Sequence, residues 1–229
     1  MQYTRSRVAF IVSCLTCYSL FLPVTSNAIA QGLNTQQCVQ KLQQSHPELN
    51  QAALVASLRA YAHLKNQGYD PKEQLTFIDF TKPSTQKRLY VIDMQTCRIQ
   101  YITYVAHGKN TGWIRAKHFS NQSGTFESSL GVYLTGQAYY GIAGYSLKLK
   151  GLDLGFNDRA ASRHLVMHPA WYASASFAKA YGRLGHTLGC FGINPKIAPK
   201  LINTIKNDTV LVAYYPDPKW LATSIYLKP

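Results

Sequence analysis

Two periodicities of apolar positions divide the chain. Between Leu54 and Leu64, large apolar side chains recur every three or four residues, which is the spacing of one helix face. A sequence with capping-box spacing begins at Ser45, and Gly68 can end the helix. The pattern predicts one amphipathic helix over residues 46–67 that packs one face on the rest of the protein.

After residue 70 the spacing changes to two, and β-branched and aromatic residues become frequent. The predicted strands are residues 76–80, 88–94, 98–106, 130–140, 145–152, 164–168 and 209–215. Short helices are predicted over residues 174–181 and 195–206. Seven strands and few helices predict a mainly β domain over residues 70–229, with an N-terminal helical segment, residues 31–69, packed against it.

The first thirty residues have the pattern of a secretory signal peptide. Arg5 and Arg7 precede an uncharged, mostly apolar stretch over residues 8–22, and Ala28-Ile29-Ala30 forms a cleavage site. The apolar stretch has about fifteen residues, whereas a membrane-spanning helix needs roughly twenty. The sequence therefore predicts cleavage after residue 30, a periplasmic or secreted mature protein, and no transmembrane segment after cleavage.

Composition narrows the class of protein. Of the 229 residues, 46% are apolar and only 15% are charged, which excludes intrinsic disorder. The formal net charge of +14 indicates an anionic partner such as a cell-wall polymer, lipid headgroups or nucleic acid. Because export is predicted, nucleic acid is not expected as a partner.

Three of the five cysteines remain after the predicted cleavage, namely Cys38, Cys97 and Cys190. An odd number in an oxidising compartment favours one disulfide and one thiol with a function. The neighbouring sequence favours a bridge between Cys38 and Cys97, because Cys190 lies in a Gly-rich segment. The alternative is that all three are free.

The segment over residues 162–195 contains the residues for acyl transfer. Cys190 can act as a nucleophile if a base lowers its pKa or takes its proton, and His168 is the candidate base. Gly189 allows a sharp turn, so that the N–H groups of Gly189 and Cys190 can point into one hollow and stabilise an oxyanion. All three are predicted catalytic residues.

The order of these residues excludes other cysteine enzymes and a metal site. Papain-like and NlpC-type peptidases place Cys before His, and sortases need an Arg after the Cys, whereas no Arg follows Arg183. His164 and His168 would share a face of a strand about 13 Å apart, too far for one metal ion. Neither a metal nor a cofactor is predicted.

His168 followed by Thr187-Leu188-Gly189-Cys190 resembles the L,D-transpeptidase (YkuD-type) catalytic domain, and more closely the murein L,D-transpeptidase catalytic domain-like family. The resemblance covers roughly residues 75–215. It includes Phe77-Ile78-Asp79-Phe80-Thr81-Lys82-Pro83-Ser84, Arg88-Leu89-Tyr90-Val91-Ile92-Asp93, Val105-Ala106-His107-Gly108-Lys109-Asn110, Phe119-Ser120-Asn121, Ser128-Ser129-Leu130-Gly131-Val132-Tyr133 and Gly144-Tyr145-Ser146-Leu147. The chain departs from the family pattern at Leu188, His186, Phe191 and Pro169.

The resemblance implies a β-sandwich or barrel with short peripheral helices, and a peptidoglycan stem peptide as substrate. Cys190 would attack the diaminopimelate carbonyl of a tetrapeptide stem, D-Ala would leave, and an amine or water would resolve the thioester. His168 would activate the thiol and protonate the leaving amine. The backbone of residues 188–190 would hold the oxyanion.

Four residues are candidates for substrate binding. Arg163 can hold a stem carboxylate with its guanidinium fork, although a salt bridge at a strand edge is the alternative. His186 and Thr187 precede the nucleophile and can contact substrate, or His186 is an exposed loop residue. His107 can line the cleft, although turn chemistry alone explains the residues after it.

The resemblance leaves three functions open. The same thioester can lead to a transpeptidase, or to a hydrolase that acts as an L,D-carboxypeptidase or cuts existing crosslinks. The third is a murein-binding module that keeps the fold without catalysis. The acceptor decides between the first two, and the reactivity of Cys190 decides whether the protein is an enzyme.

Overall fold

The computed structural model describes residues 26–228, with side chains from Thr35 onward. Residues 1–25 of the predicted signal peptide lie outside the described residues. The helices are α1 (Ser26–Ser45), α2 (Gln51–Asn66), α3 (Ala175–Tyr181), α4 (Ala198–Ile205) and α5 (Pro218–Thr223), followed by a 3-10 helix (Ile225–Leu227). The strands are β1 (Gln74–Asp79), β2 (Leu89–Asp93), β3 (Arg98–Thr103), β4 (Val105–Ala106), β5 (Gly131–Gly141), β6 (Gly144–Gly151), β7 (Val166–Pro169), β8 (Phe191–Ile193) and β9 (Val210–Tyr214).

The described strands form one sheet in the order β3-β2-β1-β9-β5-β6-β7-β8-β4. Its two outer strands, β3 and β4, are consecutive in the chain and are separated only by Tyr104. The two ends of the sheet therefore meet, and the sheet curls into a nearly closed barrel. This confirms the predicted mainly β fold with short peripheral helices.

Most neighbouring strands are antiparallel, but β1 pairs with β9 and β7 pairs with β8 in parallel. A parallel pair needs a long connection, which here carries α3 between β7 and β8. The seven predicted strands are confirmed, with residues 98–106 divided into β3 and β4. The three-residue strand β8 was not predicted.

The barrel encloses a core of side chains from one face of every long strand. Tyr133, Met167 and Phe191 are nearly completely buried there, together with Leu201 and Ile205 of α4. Because successive residues of a strand face opposite sides, the neighbours of Met167 and Phe191 lie on the outer face of the sheet. That alternation places His168 outside the barrel core.

The opposite side of the sheet is covered by α2. Leu54 and Leu58 of α2 pack with Phe77 of β1, Val212 of β9 and Trp220 of α5, and all five side chains are buried. Burial of a leucine side chain contributes about 1.5–3 kcal/mol, so this layer holds the helix on the sheet.

The predicted start of this helix was wrong by several residues. The Asn50 side chain, rather than Ser45, caps α2, by accepting the N–H groups of Ala52 and Ala53 at 3.0 and 3.2 Å. Ser45 instead ends α1, where its hydroxyl donates back to the carbonyl of Lys41 at 2.9 Å. The capping box therefore marks a junction between two helices.

Cys38 of α1 and Cys97, which lies between β2 and β3, form a disulfide with a Cα–Cα distance of 5.4 Å. Cys190 is a free thiol. Between Ser26 and Lys228, no helix has both the length and the apolar composition needed to cross a membrane. In the same range, no group of three or more His, Cys, Asp or Glu residues could hold a metal ion.

Candidate active site

The parallel pair β7–β8 places the predicted nucleophile and base next to each other. His168 of β7 is paired with Gly192 of β8, and Cys190 lies two residues before Gly192. Residues two apart in an extended chain share a face, so Cys190 and His168 are diagonal neighbours on the outer face of the barrel. Gly192, directly beside His168, contributes no side chain that would separate them.

Both residues line one open pocket of about 660 Å³. Its walls come from the β5–β6 hairpin, from β7 and from the loop before β8. The lining residues are Tyr139, Gly141, Ile142, Ala143, Ser146, His164, Val166, His168, Tyr172, His186, Thr187, Leu188 and Cys190. Of the predicted site residues, the structure brings Cys190, His168, His186 and Thr187 together here, whereas Arg163, His107 and Gly189 do not line the pocket.

The tautomer of His168 follows from its hydrogen bond. Its Nδ1 lies 2.9 Å from the carbonyl oxygen of Pro169. A carbonyl only accepts, so Nδ1 of the neutral ring carries the proton and Nε2 carries a lone pair. The ring is therefore prepared to take a proton at Nε2. Pro169 lacks an N–H, but its carbonyl provides this contact.

The surroundings of the Cys190 thiol disfavour its ionisation. Burial raises its pKa, although the N–H groups of Val166 and Cys190 itself and the charge of Arg163 oppose that shift. The S–H donates to the carbonyl of His164, 3.6 Å away. His164 has a φ of +54°, a backbone conformation unusual for a residue other than glycine. Since the thiolate is disfavoured, reaction requires a base beside the sulfur.

The segment before Cys190 is held by Thr187. Its hydroxyl donates to the carbonyl of Cys190 at 2.7 Å and accepts the N–H of Gly189 at 3.1 Å. The N–H of Gly189 is therefore occupied and does not point freely into the pocket. Between residues 26 and 228, the N–H of Leu188 makes no hydrogen bond, and the N–H of Cys190 faces its own sulfur.

Gly189 is required by a close backbone contact. Its φ is +122°, and a Cβ at this position would lie 2.9 Å from the carbonyl oxygen of Glu127. A side chain would therefore force the segment away from residues 127–128. The glycine lets the chain turn into Cys190 while it stays in contact with this neighbouring loop.

Sequence reasoning missed Ser128 as a functional residue. Its buried hydroxyl donates to the carbonyl of Gly189 at 2.9 Å and accepts the N–H of Gly108 at 3.0 Å. The carbonyl of Gly189 and the N–H of Cys190 belong to the same peptide plane. Ser128 thus fixes the orientation of the N–H that precedes the thiol. The available signal was its place in one of the segments that carry the family resemblance.

Arg163 holds the same loop from outside the pocket. Its guanidinium donates to the Ser129 hydroxyl at 2.6 Å, to the carbonyl of Glu127 at 2.7 Å, and also to the carbonyl of Ser120. Burial lowers its pKa. Because these donors are engaged, Arg163 acts on the pocket indirectly. It holds the loop over residues 120–129, and its positive charge favours ionisation of Cys190.

His107 is completely buried, beneath the pocket wall. Its Nδ1 lies 2.6 Å from Nη2 of Arg88, which can only donate, so Nε2 carries the proton and donates to the carbonyl of Gly112 at 2.8 Å. Burial and the Arg88 charge lower the pKa of His107 to about 3. The ring therefore links Arg88 to the turn over residues 108–112, in which Gly108 pairs with Thr187.

His186 lines the pocket and is held by a contact with Trp113. Its Nε2 donates to the carbonyl of Trp113 at 2.8 Å, and the two ring centroids are 5.2 Å apart. Arg183 lies over the other part of the Trp113 ring, 3.9 Å from the centroid. Burial lowers the pKa of His186. The carbonyls of Trp113 and Gly112 both interact with the ring and oppose that shift.

Comparison with known proteins gives three findings. A family described as "L,D-transpeptidase catalytic domain" matches residues 45–214. An L,D-transpeptidase from Mycobacterium smegmatis has a TM-score of 0.38 at 10% identity, with 62% of this chain and 59% of that chain covered. The LD transpeptidase LdtMt1 in complex with imipenem has a TM-score of 0.37 at 9% identity, with the same coverage. A search of curated proteins found no match.

The match to the family extends over most of the chain, from the turn before α2 to the end of β9. It includes every strand of the sheet as well as the loop that carries Cys190. This chain covers less than two thirds of the length of the two structures. Because this match covers most of the chain, the chain belongs to the L,D-transpeptidase catalytic domain family.

Proposed function

We propose that the protein is an exported cysteine acyltransferase that forms L,D-linkages between peptidoglycan stem peptides. The observation that carries the proposal is the placement of Cys190 and His168 as diagonal neighbours in one pocket, with Nδ1 of His168 held by the carbonyl of Pro169. Family membership supports the substrate class. In this proposal residues 1–30 are removed on export, and residues 31–69 pack on a catalytic domain over residues 70–229.

The first half of the reaction transfers an acyl group to the enzyme. The Cys190 thiol gives its proton to Nε2 of His168 as the sulfur attacks the carbonyl of the third stem residue. The developing oxyanion is held by the N–H groups of Cys190 and Leu188, because the N–H of Gly189 is bonded to Thr187. His168 then donates the proton to the amine of the terminal D-Ala, which leaves, and a thioester remains.

The second half resolves the thioester. The amine of another stem attacks the carbonyl and loses its proton to His168, the new amide forms, and the sulfur leaves and regains a proton. Water in place of the amine would give a tripeptide and make the enzyme a carboxypeptidase. A crosslinked stem as donor would make it a crosslink hydrolase.

The remaining site residues are assigned from their positions. His186 and Thr187 line the pocket, and both can contact the stem there. Arg163 and His107 are assigned as positioning residues because their polar atoms are engaged by the loops around Cys190. The net charge of +14 supports an anionic polymer as the partner.

The experiment is mass spectrometry of purified disaccharide-tetrapeptide incubated with the mature protein, beside Cys190→Ala. We expect a crosslinked dimer, or exchange of the terminal D-Ala for an added D-amino acid, with the wild type only. A tripeptide alone would replace the transpeptidase by a carboxypeptidase. Cleavage of intact sacculi alone would indicate a crosslink hydrolase, and no product with either substrate would favour the binding module.

A further inference from the structure

Four aromatic rings form a continuous strip that begins at the catalytic pocket. Tyr172 lines the pocket, and its ring centroid is 5.7 Å from that of Trp171. Phe177 lies 5.4 Å from Trp171, and Tyr181 stacks on Phe177 at 4.3 Å. We call Tyr172, Trp171, Phe177 and Tyr181 the aromatic strip. It runs outward from the pocket along α3.

Two rings of the strip are largely exposed, as are Trp113 and Tyr140 elsewhere on the surface. Trp171 is 71% exposed and Tyr181 is 64% exposed, whereas Trp220 and Tyr133 are completely buried. Leaving apolar ring surface in water is unfavourable, and contiguous exposed apolar surface beside a pocket marks a ligand or partner site.

The strip is also rigid before any ligand arrives. Ala170, just before Trp171, donates its N–H to the carbonyl of Ile193 at 2.7 Å, which ties this turn to β8. A Cβ on Gly185 would lie 2.5 Å from the Tyr172 ring, so Gly185 packs directly under that ring. The α3 helix is capped by the Ser174 hydroxyl at one end and ends in a left-handed Gly182 at the other. A preformed surface binds without an ordering cost.

The chemistry of the proposed substrate places a sugar near this strip. When Cys190 attacks the third stem residue, the sugar that carries the stem is separated from the sulfur by about 10 Å of extended peptide. Trp171 contacts Tyr172, whose ring forms part of the pocket wall. A stem that leaves the pocket over Tyr172 therefore delivers its sugar to Trp171.

We propose that the aromatic strip binds the glycan strand that carries the donor stem, with pyranose rings packed on Trp171 and Tyr181. The apolar C–H face of an amino sugar is flat and matches an exposed aromatic ring. This inference rests on the proposed function and deepens it, because it makes a glycan-linked stem the preferred donor over a free peptide.

The test compares two donors, the free tetrapeptide and the same tetrapeptide on a glycan chain of several disaccharides. We expect Trp171→Ala to raise KM for the glycan-linked donor about tenfold, equivalent to the contribution of one stacked ring, and to leave the free peptide unchanged. Trp171→Phe should restore most of the affinity. Tyr69→Ala, a change of an exposed aromatic beyond the end of α2, is the control and should affect neither donor.

A second measurement separates this inference from the proposed function. Binding of a peptide-free glycan oligomer to Cys190→Ala is measured by calorimetry, with and without Trp171→Ala, so that no catalysis is needed. Saturable binding that Trp171→Ala weakens supports the strip even if no transfer activity is found. The inference would be overturned, even for an active transpeptidase, if the glycan does not bind or if Trp171→Ala leaves its affinity unchanged. An equal rise of KM for both donors in Trp171→Ala would overturn it as well.

Discussion

Two regions on the outer side of the barrel, which we call the helix face and the pocket face, are built in different ways. On the face covered by α2, large apolar side chains such as Leu54, Phe77 and Trp220 fill the space between sheet and helices. On the pocket face, the side chains next to His168 are small, including Ala106 and Ala170. The loops there are held by hydrogen bonds and close backbone contacts rather than by apolar packing.

This difference indicates which property each face controls. On the helix face, the packing of many apolar atoms contributes to the free energy of unfolding, and each atom contributes only a small part. The position of the Cys190 sulfur depends instead on a few contacts, such as those of Ser128 with Gly189 and of Thr187 with Cys190. We therefore expect changes on the pocket face to alter rate at nearly constant stability, and changes on the helix face to do the opposite.

The largest expected effect is that of His168→Ala. Without the base the thiol keeps its proton, because burial already raises the pKa of Cys190. The kcat/KM for stem transfer should fall about 10²–10⁴-fold, and labelling of Cys190 by iodoacetamide should slow as well. His63→Ala on α2 is the matched control and should leave both rates unchanged. Equal losses in the two variants would remove the distinction between the faces.

The second effect concerns the disulfide on the helix side. Replacing both Cys38 and Cys97 by serine removes a link between residues 59 apart and should lower the free energy of unfolding by about 2–4 kcal/mol. The turnover rate of the folded variant should equal that of the wild type, since the bridge is remote from the pocket. Urea unfolding and turnover in the same samples check both statements.

The pairing itself is checked by peptide mapping without reductant, which should find Cys38 linked to Cys97. A bridge that includes Cys190 would contradict the proposed nucleophile. A variant that unfolds as easily as the wild type would show that the link contributes nothing.

A smaller effect is expected from Gly189→Ala, and Gly155→Ala provides a comparison. Both glycines have positive φ, at +122° and +83°, but only at Gly189 would a Cβ meet a backbone atom, the carbonyl oxygen of Glu127. Both variants should lose about 1 kcal/mol of stability. Only Gly189→Ala should lose activity, about tenfold to a hundredfold, because the sulfur is displaced. Thermal melts measure the loss of stability, which backbone strain should cause in both variants. Stopped-flow turnover measures the loss of activity, which displacement of the sulfur should cause only in Gly189→Ala.

The last expected effect is a pH dependence of the free energy of unfolding, which arises on the helix side. Asp70 is buried, and burial raises its pKa from 3.8 to about 6. The folded state then binds this proton more tightly than the unfolded state, so the stabilisation present at low pH is lost as pH rises from about 4 to about 6. Asp70→Asn should remove most of this pH dependence, whose full size for a rise of the pKa from 3.8 to about 6 is about 3 kcal/mol. Urea midpoints at several pH values measure it, and an unchanged slope would argue against the buried carboxyl.

Much of the fold could be predicted because its strands are long and alternate regularly. The errors lie where local signals compete or are too short. Ser45 satisfies a capping pattern, but the residue that caps α2 is Asn50. The sequence allows a helix to start after either residue, and tertiary packing decides between the two starts. The strand β8 has three residues, too few to show a period, and its pairing with β7 is what defines it.

The site shows a similar division. Cys190 and His168 carry chemistry in their residue types, so they could be named from the sequence. The role of Ser128 depends on a contact with Gly189, 61 residues away, which no local pattern encodes. The N–H of Gly189 is occupied by a hydroxyl only two residues away, but the direction of that hydroxyl follows from the folded turn. Residue types therefore predict reactive groups better than they predict their partners.

The position of β9 has a consequence for how the protein is made. This strand is the last in the chain, yet it lies between β1 and β5 near the middle of the sheet. The residues of β9 must be synthesised before β1 and β5 can be joined, and a chain stopped before Thr209 would leave each of these two strands with an unpaired edge. Synthesis of residues 210–214 therefore has to precede completion of the barrel, which makes the joining of β1 and β5 a late step in folding.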